Sequence, residues 1–141
     1  MALDDRVYIS ESDKAIYDRL KKYVDGPLKG RKNKELFMMA MILGYYKTGV
    51  RSDLKKPKDY DHVENLGPER RTIIKAIAVA EEGMEVLNDE AQIYSIANEY
   101  AATGIKILEG MANDPDFDFI KKLENILVEE YDSKKMGEWW Y

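Results

Sequence analysis

The chain of 141 residues contains no cysteine, a single histidine and only four prolines. Without cysteine there can be no disulfide framework, thiolate zinc site, iron–sulfur cluster or cysteine nucleophile. With His62 alone, histidine-based acid–base chemistry or a metal site has no second imidazole to draw on, and the residue reads as part of a loop. Long apolar runs are also missing. The longest, Leu36 to Leu43, is far short of the ~20 residues that span a bilayer. The N-terminus, Met-Ala-Leu-Asp-Asp-Arg, has no basic stretch leading into an apolar one, so a secretory signal is not expected and a soluble, cytoplasmic protein is. Phosphate-binding glycine loops, serine elbows and Walker lysines are absent, and no enzymatic activity or cofactor is expected.

What is present suits one helical domain. The hydrophobic fraction of 45% fills an ordinary core, and the charged fraction of 35% suits helices with long solvated faces. At this length about two-thirds of the unfolded surface can be buried, so neither metal nor disulfide is needed for stability. The expected fold is mostly α: a single domain over 1–141, about five helices and at most one short N-terminal strand. It divides into a basic strand-helix-helix part (6–50), an acidic three-helix part (67–132) and an aromatic tail (133–141).

Periodicity places the elements. Arg6-Val7-Tyr8-Ile9-Ser10 alternates polar and apolar residues and reads as a strand. Ser10 or Ser12 then caps a helix reaching about Val24, with Ile16, Leu20, Tyr23 and Val24 on one face. After the basic loop through Gly30, Asn33 caps a second helix. Its body is apolar on every side, as a central core helix or one shared with another chain would be. Gly49 sits where a C-terminal cap belongs. Residues 51–67 read as a polar loop, and Gly67-Pro68-Glu69 as a helix start. Gly83 either kinks that helix or lets a neighbour approach, Asn88 or Asp89 caps the next, and Asp114-Pro115 opens a last one. Ala97, Ala101 and Gly104 form a small-residue seam where a neighbouring helix can pack closely.

The net charge of −5 conceals an asymmetry. Residues 1–61 hold 14 Lys and Arg against 10 Asp and Glu, whereas residues 62–141 hold 8 against 17. Between residues 19 and 58 the count is 12 against 3, a local excess able to attract double-stranded DNA, although such lysines also serve plain solubility. The candidate phosphate contacts are Lys29, Arg31, Lys32 and Lys34. Other motifs fall short of the chemistry they suggest. Asp114-Pro115-Asp116-Phe117-Asp118 mimics a calcium loop but lacks its glycine and its final glutamate. Glu81, Glu82 and Glu85 share a helix without the Glu-x-x-His pattern of a di-iron bundle. Trp139, Trp140 and Tyr141 are costly to expose, so they either fold back onto the body or dock into a partner.

Two resemblances add to this reading. Residues 6–51, a strand followed by two helices, resemble ribbon-helix-helix DNA-binding domains. That likeness implies a homodimer with Val7 and Ile9 in the shared core, Arg6, Tyr8 and Ser10 turned to the bases, and a phosphate at the start of the second helix. The turn after Val24 is longer than in that family and holds Pro27. Leu36-Phe37-Met38-Met39-Ala40-Met41-Ile42-Leu43-Gly44-Tyr45-Tyr46-Lys47-Thr48-Gly49 is similar to a signature of small proteins associated with DNA phosphorothioation (Dnd) systems. Ile96-Ala97-Asn98-Glu99-Tyr100-Ala101-Ala102-Thr103-Gly104-Ile105-Lys106-Ile107-Leu108 resembles that family's second segment. The likeness implies a helical accessory of a DNA-modification or phage-defence system, with system proteins and DNA as partners and no active site of its own. The alternatives are a dimeric regulator and a protein-interaction adaptor that never touches nucleic acid.

Overall fold

The computed structural model describes residues 6–22 and 30–112. The last helix expected from Asp114-Pro115, Lys29, and the tail residues Trp139, Trp140 and Tyr141 lie outside the described residues. The fold is mostly α with a small sheet. Strand β1 (Arg6–Ser10) runs directly into α1 (Glu11–Lys22), and α2 (Asn33–Leu43) passes into a π-helical turn at Gly44–Thr48. Strand β2 (Pro57–His62) leads into α3 (Val63–Glu82), a 3₁₀ turn at Met84–Asn88 and α4 (Glu90–Ala112).

The centre is the packing of α2 on α4. Leu36, Phe37, Met38, Ala40, Met41 and Leu43 of α2 are all buried, so the helix without a polar face is the core helix of this chain. Opposite them α4 buries Ile93, Ile96, Ala97, Tyr100, Ala101, Ile105 and Leu108. The small-residue seam works as expected. Gly104 lies against the backbone of Ala40 and Gly44, and Gly44 against that of Tyr100. Tyr100 also stacks edge-on with Tyr45, ring centroids 5.3 Å apart.

The caps follow the sequence at Gly49 and Asp89, but the second helix is capped at Lys32 and not at Asn33, whose side chain is turned to Lys21 and the Tyr60 carbonyl. The Lys32 amide donates to the Glu35 carboxylate at 3.0 Å, closing the first turn of α2. Gly49, at φ 66°, turns its amide to the Gly44 carbonyl and ends the π-helical turn. Asp89 accepts the Gln92 amide at 3.1 Å and caps α4. Gly67, at φ 85° and ψ 162°, breaks α3 after one turn, and the chain re-enters the helix at Pro68. Gly83 ends α3.

The sheet departs from expectation. Residues 57–62, read as loop, form β2 and pair antiparallel with β1, with a bulge between Val7 and Tyr8. At the bulge the Tyr8 amide donates to Asn98 Oδ1 of α4 at 3.0 Å. The ribbon is therefore completed within one chain. Val7 and Ile9 are buried in this chain's own core, which removes the dimer core that the ribbon-helix-helix likeness required. Two long ties hold α1 to α4: buried Asp13 pairs with Lys106 at 3.4 Å, and Arg19 pairs with Glu109. Among the described residues no helix is long and apolar enough to cross a membrane.

Candidate functional site

The first turn of α2 gathers the basic residues singled out in the sequence. Lys32 is exposed at the cap, while Arg31 and Lys34 are half-buried beside it. Arg31 reaches the Glu35 carboxylate at 3.2 Å. Lys21, from the end of α1, bonds to Asn33 Oδ1, lies 3.9 Å from Asp18 and stands over the Tyr60 ring. Asn33 in turn donates to the Tyr60 carbonyl at 3.3 Å, fixing α2 to β2. The backbone hydrogen bond from Lys32 lowers the Glu35 pKa; Arg31 and Arg70 assist, against a burial contribution of opposite sign. Arg70 thus belongs to the same electrostatic neighbourhood. It stands next to Arg71 in the half of the chain that is acidic by count, so only the folding of α3 toward α2 brings it in.

Glu35 neutralises part of this field, but among the described residues neither Lys32 nor Lys34 forms an ion pair. Their charges reinforce the positive end of the α2 dipole, and the amides of the first turn have no acceptor within the helix beyond the cap. The surface can therefore accept an anion such as a backbone phosphate.

The β1 candidates go elsewhere. Arg6 pairs with Asp59 on β2 at 3.3 Å. Ser10 is buried, and its hydroxyl accepts the Lys55 amide at 3.0 Å, so it cannot face bases from a ribbon. Tyr8 is half-buried and, with Arg6, lines a cleft of about 530 Å³ between β1, the 53–57 segment and α4. Asp53, Tyr94, Ser95, Asn98 and Glu99 share that cleft. Sequence reasoning missed all of these, because they come together from distant parts of the chain. Burial raises the Glu99 pKa; Arg51, 3.6 Å away, opposes the shift and Asp53 adds to it. Burial likewise raises Tyr94, with Glu90 in the same direction. His62 is exposed at the end of β2, and no group of three or more acids and histidines able to hold a metal occurs among the described residues.

Fold and site together define a small helical protein with a basic surface at one helix start and a separate, largely apolar cleft beside α4. The chain belongs to the family of DNA sulphur modification system-associated protein 4, whose model matches residues 6–139. No curated protein and no solved structure matches it.

Proposed function

We propose that the chain is a non-enzymatic accessory of a DNA sulphur-modification system, acting in the cytoplasm through contacts with DNA and with other proteins of that system. Membership of the family over residues 6–139 carries the reading. The uncompensated lysines at the start of α2 support the DNA part of it. In this reading Lys32 and Lys34 meet phosphate oxygens, Arg31 stays tied to Glu35 and shapes the local field, and base sequence is not read.

The test is fluorescence anisotropy of a labelled DNA duplex titrated with the protein at low and near-physiological salt. Binding that weakens steeply with salt and varies little between duplex sequences supports the reading. No binding at low salt, where electrostatic attraction is strongest, rejects the DNA contact and leaves a protein adaptor. The regulator alternative loses its main support, because β1 pairs with β2 instead of a second copy.

A further inference from the structure

The cleft beside α4 is separate from the basic surface at the start of α2. Its volume of about 530 Å³ falls within the range of about 300–1,000 Å³ usual for small-molecule sites. Its charges do not choose its occupant. Exposed Asp53 is answered by exposed Lys55 and Lys56 of the same segment, and none of the three forms an ion pair among the described residues. Arg6 is matched by Asp59, and Glu99 by Arg51. Selection falls to shape and hydrogen bonding.

Ala91, Tyr94, Ser95, Asn98 and Glu99 recur at spacings of three and four, so one face of α4 forms one wall. Tyr8, Leu54 and Pro57 supply much of the remainder, and the lining is mostly apolar. The 53–57 segment is fixed to the body: the Lys55 amide donates to Ser10 Oγ at 3.0 Å, and the Lys56 carbonyl accepts the Glu11 amide at 3.1 Å. Asn98 is the residue that discriminates. It is only 9% exposed, and its Oδ1 accepts the Tyr8 amide at 3.0 Å. A backbone N–H can face only the oxygen of a carboxamide, so this bond fixes which way the side chain points. Its Nδ2 donates to nothing among the described residues, and the oxygen keeps a second lone pair. The Ser95 hydroxyl, one turn earlier on the same face, also forms no hydrogen bond there.

A carboxamide offering a donor beside an acceptor matches the N7 and N6 edge of adenine, the pairing through which asparagine reads that base. Guanine presents two acceptors on the same edge and fits it worse. A peptide amide carries the right pair but not the flat aromatic area that tyrosine and aliphatic walls cover. The mixed charges suit the rest of a nucleotide: carboxylates accept sugar hydroxyls, and lysines attract phosphate. The sequence holds no glycine-rich phosphate loop, so the base supplies most of the recognition.

We propose that the cleft between β1, the 53–57 segment and α4 receives an adenine base, read by the Asn98 carboxamide. The inference does not rest on duplex binding at the start of α2.

The experiment is an NMR titration of the ¹⁵N-labelled full chain with adenosine, guanosine, adenosine monophosphate and a short single strand of deoxyadenylates. The side-chain amide signals of Asn98 report the contact directly. Saturable shifts there and at Ser95 are expected with adenosine, with guanosine at least about tenfold weaker. Asn98→Asp keeps an acceptor for the Tyr8 amide and loses the donor, and it should weaken adenosine binding by a similar factor. Ala91→Trp fills the cleft from its wall without touching the Tyr8 bond, and it should block binding even if Asn98→Asp fails to fold. Guanosine binding as tightly as adenosine, no saturable shift at Asn98, or an Ala91→Trp variant that binds like wild type overturns the proposal. At the Asn98 signals, tighter binding of the strand than of the monophosphate assigns the adenine to a nucleic acid, and the reverse order assigns it to a free nucleotide.

Discussion

Gly44 and Gly104 stand against each other so closely that a Cβ on Gly104 would lie 2.8 Å from the Gly44 amide nitrogen. The reverse substitution would place a Cβ 3.1 Å from the Gly104 nitrogen, with the Tyr100 carbonyl closer still. At this crossing α4 meets the end of α2 backbone to backbone, and neither side has a flexible side chain to yield.

Gly104→Ala should therefore destabilise the protein by about 3 kcal/mol, the upper end of the usual cost of overpacking. Gly110→Ala is the control. It lies on the same helix with nothing within 4 Å of a new Cβ, and it should gain up to about 1 kcal/mol from helix propensity alone. Urea unfolding of the two variants beside wild type measures the difference.

Tyr17 is fully buried, its ring centroid 4.5 Å from that of Tyr60, and its hydroxyl finds no hydrogen-bond partner among the described residues. Tyr17→Phe keeps the ring contact and removes the unsatisfied group. The expected result is a neutral or stabilised protein, by up to about 1 kcal/mol. A loss of stability in urea unfolding would show that the hydroxyl has a partner in solution.

Two glutamates should tilt the pH dependence of stability in opposite directions. Glu35 is held below its ordinary value of 4.5, chiefly by the Lys32 amide, so its contribution is present above that value and is lost as pH falls through the lower folded value. Glu99 is raised, chiefly by burial, so ionising it in the folded state costs stability as pH rises from the ordinary value through the higher folded one. Glu35→Gln should cost about 0.5–1 kcal/mol at pH 7, since a cap is weakened, and much less at pH 3. Glu99→Gln should compare more favourably with wild type at pH 7 than at pH 4. Urea midpoints measured from pH 3 to 7 test both signs.

Replacing both Lys32 and Lys34 with alanine should weaken duplex binding evenly across sequences. It should also flatten the dependence of log affinity on log salt, by about 0.9 in slope for each phosphate no longer neutralised. Arg6→Ala and Ser10→Ala should leave sequence preference unchanged, because Arg6 is held by Asp59 and Ser10 is buried. A shift in preferred sequence on changing Arg6 would return the ribbon to consideration.

The residues most legible in the sequence were those whose pattern and role are local. The apolar stretch Leu36–Leu43 announced a core helix, Ala97, Ala101 and Gly104 announced a close crossing, and Asp89 and Gly49 announced their caps. The identity of the surface opposite the seam was not legible, since Gly44 looked like one more residue of its helix. Strand β2 was missed for a physical reason. Pro57-Lys58-Asp59-Tyr60-Asp61-His62 has no alternating apolar face, and four of these residues are exposed. It is a strand because β1 offers it a partner, and such tertiary pairing leaves no periodicity to read. The lysines at the start of α2 could be found by counting charge. The cleft could not, because Tyr8 and Asp53 meet Asn98 and Glu99 only once the chain has closed.

That closure has a consequence for the order of assembly. Tyr8 bonds to Asn98, Asp13 pairs with Lys106 and Arg19 pairs with Glu109, each bridging about ninety positions of sequence. During synthesis the first strand and helix leave the ribosome long before any of those anchors exists. β1 can pair with β2, and Tyr17 can meet Tyr60, once residues 57–62 have emerged, but the ties to α4 close only when α4 follows them out, so the N-terminal part is the first made and among the last to be locked in place.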